Sequence, residues 1–154
     1  MFKRRFPTLL IVLLALVLTM AVAAAAYAAV GDNIRRTTSL WGANEVPGPG
    51  DPNGSGEATI KINLEKGQLC YTLTARRIAP ATAAHIHAAP EGVAGPVVVP
   101  LNPPTDGKSS GCVQGVDPGL LRAILRNPRQ YYVNVHTAEY PAGAIRGQLH
   151  HPGS

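Results

Sequence analysis

Five histidines occur in this 154-residue chain, and three fall in runs that read as β-strands. In Ala84-His85-Ile86-His87 the two imidazoles are two residues apart. Successive strand side chains point to opposite faces, so His85 and His87 share a face about 7 Å apart and Ile86 takes the other. In Tyr131-Tyr132-Val133-Asn134-Val135-His136 the same alternation puts Tyr131, Val133 and Val135 on a core face. Tyr132, Asn134 and His136 share the opposite one. A His-x-His pair with a third strand histidine has the donors of a transition-metal site. Neutral imidazole suits copper or zinc, and three ligands leave one position open. His85, His87 and His136 are therefore the candidate ligands for one copper or zinc ion. The plainer alternative is a strut, in which the same imidazoles hydrogen-bond loop backbone and organise whatever covers the face. His150 and His151 read as a solvated tail.

In the last strand, Ile145 and Leu149 are expected to point inward, sending Ala144, Arg146 and Gln148 out with His136. Arg146 then has two readings. As a structural group it pairs with Glu139, Glu91 or a loop carbonyl, the commoner fate of an arginine at a sheet edge. As a functional group it draws an anion toward a metal. Asn134 reads as an amide bracing a turn or lid, and Glu45 as an acceptor for loop amides or a surface charge. Arg146, Asn134 and Glu139 are thus the candidate anion-binding or supporting residues. Segments 88–112 and 137–143 are placed to cover the face. Other chemistries find little support. There is no Gly-rich phosphate loop, and Ser39, Ser55, Ser109 and Ser110 lack a nucleophile-elbow context. The carboxylates are scattered, which does not support a paired-carboxylate hydrolase. No catalytic residue is nominated, and a non-enzyme is the favoured expectation.

The elements that must carry these residues are short strands. Glycine (16) and proline (14) are abundant, as suits strands joined by turns, while charged residues are only 15%. Residues 57–64 alternate, with Ala58, Ile60, Ile62 and Leu64 on one face. A turn at Glu65-Lys66-Gly67 leads into 68–75, completing a hairpin. Further strands are expected at 83–88, 97–101, 131–137 and 144–149. One helix interrupts them. Asp117 suits its N-cap, Pro118 its first turn, and Leu120, Leu121, Ile124 and Leu125 its apolar stripe, with Asn127-Pro128 as its end. Residues 44–56 read as a loop. The expectation is an all-β Greek-key β-sandwich, immunoglobulin-like or superoxide-dismutase-like, with one short helix.

The first residues read as an export signal: Lys3, Arg4 and Arg5, an apolar run from Leu9 to Met20, then small residues ending in Ala26-Tyr27-Ala28. Residues 9–30 also reach the roughly 20 needed to cross a bilayer, so an uncleaved anchor is the rival. The alanine-rich end favours cleavage after Ala28. The expected organisation is a signal peptide at 1–28, a flexible segment at 29–37, a domain at 38–149 and a tail at 150–154. The location is then secreted, periplasmic or cell-surface, with a membrane contact only if the leader stays. Without the leader, 11 basic residues face 9 acidic ones, which gives no reason to expect nucleic acid. Cys70 and Cys112, two cysteines in an exported chain, are expected to form a disulfide.

Three stretches resemble the CHRD (chordin-type) domain family. The first is Leu40 to Pro47, and the second is Ala83 to His87 with Gly92 and Gly95 to Val99. The third runs from Asn127-Pro128 through Thr137 to Pro141 to Leu149. Gly48 departs from the pattern, where a second proline is expected. The resemblance spans 38–149 and implies a secreted domain, alone or in copies, without assigning an activity. The expected partner is an extracellular protein or a surface polymer. The histidine pattern is also similar to copper/zinc superoxide dismutases, which are Greek-key sandwiches with a disulfide and an outward-facing copper site. That similarity would match His85, His87 and His136 to copper ligands and Arg146 to an anion-guiding arginine. The chain lacks a bridging histidine in 88–111 and the zinc cluster, so the similarity leaves at most a single-metal site. Metal-binding with redox or superoxide-related activity is thus the alternative to a binding or structural module.

Overall fold

The computed structural model describes residues 34–151. The expected leader at 1–28, residues 29–33 and the last three residues of the tail lie outside them. Eight strands follow in chain order: β1 (Ile34–Trp41), β2 (Ser55–Asn63), β3 (Gln68–Arg76), β4 (Ala81–Ala88), β5 (Val97–Leu101), β6 (Lys108–Val113), β7 (Tyr131–Thr137) and β8 (Ile145–Gln148). One helix, α1 (Pro118–Arg126), lies between β6 and β7. The fold is all-β, as the residue pattern indicates. No helix among the described residues is long and apolar enough to cross a membrane.

The strands form one antiparallel sheet in the order β5-β4-β7-β8-β1-β2-β3-β6. It doubles over itself. The two halves join through β8 and β1, where the register holds a single pair, Trp41 with Arg146. At the free edges, Ser109 Oγ donates to the Asn102 carbonyl over 2.7 Å, and Tyr71 Oη accepts from the Asn102 amide over 2.8 Å. The fully buried side chains come from both halves: Leu40, Ile60, Ile62, Leu69 and Leu73 from one, Ile86, Val99, Val133, Val135 and Ile145 from the other. Alternation thus places Ile86, Val133 and Val135 in the core, as their spacing requires.

Two strands, β1 and β6, carry no clear apolar alternation. In β1 the buried positions include Arg36 and Thr38. Arg36 is tolerated because its Nη2 donates to the Leu125 carbonyl over 2.9 Å. That carbonyl is in the last turn of α1, which leaves its acceptors without helical partners. At the other end of α1, Asp117 Oδ1 accepts from the Leu120 amide over 2.8 Å, and Leu121, Ile124 and Leu125 are buried. β6 is an edge strand, Lys-Ser-Ser-Gly-Cys-Val, held by its pairing with β3.

Within that pairing Cys70 stands directly opposite Cys112, and the two are joined as a disulfide. The bond closes a loop over a sequence separation of 42 residues. For a loop of that size the chain-entropy relation gives about 4 kcal/mol of stabilisation through the unfolded state. Replacing both cysteines by serine should lower the unfolding free energy by about that amount in a denaturant titration. A loss below about 1 kcal/mol would contradict this role.

A candidate metal centre beneath a stapled lid

The site follows from strand register. β4 and β7 are antiparallel neighbours, with His85 opposite Asn134, His87 opposite Tyr132 and Ala83 opposite His136. β7 then pairs with β8, setting Tyr132 opposite Gln148 and Asn134 opposite Arg146. Directly paired residues share a face. Two rows therefore run across the sheet on the side away from the core. One is His87, Tyr132 and Gln148; the other is His85, Asn134, Arg146 and Trp41. His136 stands beside His85 at the end of β7.

This face is covered. The segment from Ala89 to Pro96 crosses it as a lid, and side chains from the sheet bond its backbone. Arg146 Nη2 donates to the carbonyls of Pro90 (3.1 Å) and Val93 (2.9 Å). Gln148 Nε2 donates to Ala89 and Arg129 carbonyls, each over 2.8 Å. His87 Nδ1 donates to the Gly95 carbonyl over 2.8 Å, and Tyr132 Oη accepts from the Gly95 amide over 3.2 Å. Glycine is needed at 95 because a Cβ there would collide with the Ala88 carbonyl. Arg146 is 2% exposed and lies over the Tyr132 ring, 3.4 Å from its centroid. Arg146 thus bonds loop carbonyls. Glu139 is exposed in the turn and, among the described residues, makes no ion pair with Arg146. Asn134 is buried at the centre of the face, and its Oδ1 has no hydrogen-bond partner.

The three candidate histidines converge. His85 Nδ1 and His136 Nε2 are 3.1 Å apart. One ring nitrogen from each of the three lies within 4.8 Å of the others. His136 Nδ1 donates to the Pro141 carbonyl over 3.0 Å. A carbonyl can only accept, so the Nδ1 atoms of His87 and His136 carry protons, and in the neutral rings their Nε2 atoms keep a lone pair. His87 stacks on Tyr132 at 4.7 Å with the rings nearly parallel. Burial lowers the pKa of His85, helped by the charge His136 and His87 would carry. Burial also lowers that of His136, against an opposing contribution from its bond to Pro141. Both shifts favour the neutral rings a metal requires.

A family model for the CHRD domain matches residues 36–149. The chain belongs to the CHRD domain family. No curated protein and no solved structure matches it. In this CHRD domain the matched span contains the histidine face, its lid and the turn that holds His136. Residue types alone did not mark Tyr132, Gln148 and Gly95 as lid fasteners. Parity puts the first two on the right face, but the path of the lid above them is a tertiary property.

Glu45 supports the same corner of the domain. Its side chain is buried against Gly143, where any Cβ would collide with the carboxyl group. Burial raises its pKa to about 7, although the Arg146 charge and a hydrogen bond from the Val46 backbone pull it down. An acid raised on folding contributes its stability below the unfolded value and loses it as pH climbs through the folded one. Glu45→Gln abolishes that titration. Relative to this variant, the wild type should lose on the order of 2 kcal/mol between about pH 5 and pH 8. Chemical denaturation of both proteins across that range tests it, and a constant difference would contradict it.

Proposed function

We propose that this CHRD domain is an exported binding or structural module that works outside the cytoplasm. The family match supports a module of this kind. The disulfide and the leader-like sequence support an oxidising, extracytoplasmic location.

The observation that carries the binding role is the combination of a fastened lid with exposed apolar side chains. Val93 in the lid, Val97 just after it and Trp41 are each about half exposed, while every other large apolar side chain among the described residues is more buried. Trp41 is paired with Arg146, so its ring leaves β1 on the lid side of the sheet. A surface held by several hydrogen bonds meets a partner with little ordering cost, and tryptophan is a frequent anchor in such contacts. The partner class is an extracellular protein or surface polymer.

A photo-crosslinking residue at Val93, in the cells that make the protein, tests this. A discrete adduct is expected there, weakened by Trp41→Ala, with none from the same probe at Arg122 on α1. No adduct at position 93, or identical adducts at both positions, would overturn the proposal.

A further inference from the structure

We propose that His85, His87 and His136 bind one copper ion, through His85 Nδ1, His87 Nε2 and His136 Nε2. This goes beyond the module reading and does not depend on it.

The argument starts from the hydrogen bonds that the rings already make. Metal-binding histidines usually give their second ring N–H to a carbonyl or carboxylate, which fixes the tautomer and aims the free nitrogen. His87 and His136 both do this, to Gly95 and Pro141. That leaves their Nε2 atoms as the available donors: His136 Nε2 stands 3.1 Å from His85 Nδ1, and one ring nitrogen of each of the three histidines lies within 4.8 Å of the others.

The strut alternative accounts for only part of this. If His85 Nδ1–H donates to His136 Nε2, those two nitrogens are satisfied. His87 Nε2 is not. It is buried without a hydrogen-bond partner, on a ring that is 8% exposed. An unpaired buried acceptor costs about 1–3 kcal/mol. A shared metal ion would engage all three nitrogens at once.

The spacing is close to what ligation needs. Nitrogens about 2.0–2.1 Å from a tetrahedral ion are separated by about 3.3 Å. One pair stands at 3.1 Å, and the set lies within 4.8 Å. Closing the wider separation takes a shift of about 1.5 Å or less, shared among three side chains. The donors are all imidazole nitrogens, which disfavours magnesium and calcium. Among the divalent ions that accept such a set, copper(II) binds most tightly. His87 and Arg146 come from the strands on either side of β7, and each contacts the Tyr132 ring.

The test uses the protein purified from its producing cells, with His150 and His151 changed to alanine so that the terminal pair cannot bind. Titration with copper(II) chloride, followed by calorimetry and electron paramagnetic resonance, is expected to show one ion per chain with imidazole nitrogen couplings. His85→Ala and His87→Gln should each weaken binding roughly 100-fold or more, at or above the range seen when only an outer partner is lost. His85 does not fasten the lid, so its variant should fold with at most a small loss of metal-free melting temperature, from its bond to His136, and should lose the further rise in melting temperature that copper gives the parent. Zinc chloride should compete for the same site with lower affinity. Copper affinity unchanged in His85→Ala, a stoichiometry other than one, or a spectrum without imidazole couplings would overturn the proposal.

Discussion

Covering a polar sheet face with a loop is costly unless the buried groups find partners, and hydrogen bonds between face and lid organise this side of the domain, with Asn134 Oδ1, His87 Nε2 and Arg146 Nη1 left without one. The lid from Ala89 to Pro96 brings backbone carbonyls over a face that carries histidine, tyrosine, arginine and glutamine. Arg146, Gln148 and His87 each give a hydrogen bond to it, and Tyr132 receives one. Each bond pairs a side chain of the face with lid backbone, and the one from Gln148 to Ala89 is fully buried. The stack of His87, Tyr132 and Arg146 fixes the lateral position of these fasteners. The same network holds His87, while His136 is held by the turn at Pro141 and stands against His85.

The sheet supplies the frame for that network. Antiparallel pairing of β4, β7 and β8 turns residues distant in sequence into two rows of neighbours. The fold-over between β8 and β1 leaves Trp41 at the end of one row, beside the lid-bonded arginine. The disulfide fastens edge strand β6 to β3 in the other half of the sheet. The apolar core, drawn from both halves, keeps the opposite faces of β4 and β7 fixed.

Much of this was legible in the residue pattern, because alternation is a local property. Ile86 between two histidines, and Val133 and Val135 between Tyr132, Asn134 and His136, declare their faces without reference to the rest of the chain. The helix was legible for a similar reason, through Asp117, Pro118 and Pro128. β1 was not, since its inward positions include Arg36 and Thr38, and Arg36 is acceptable inside only because the end of α1 offers a carbonyl. β6 is polar and short, and gains its place from its neighbour. The partner of Arg146 lay among several residues suggested by the sequence, and only the lid's path selects the carbonyls of Pro90 and Val93. Glu45 was open between loop acceptor and surface charge. Its burial depends on Gly143, nearly a hundred residues away, which no local pattern connects to it.

The account rests on the ring nitrogens that the carbonyls of Gly95 and Pro141 hold protonated. Nitrogen-15 correlation spectroscopy of the histidine rings in metal-free protein near neutral pH reads this directly. The account predicts that the neutral rings of His87 and His136 carry their proton on Nδ1, leaving Nε2 bare. Neutral rings that carry the proton on Nε2 in place of Nδ1 would contradict it.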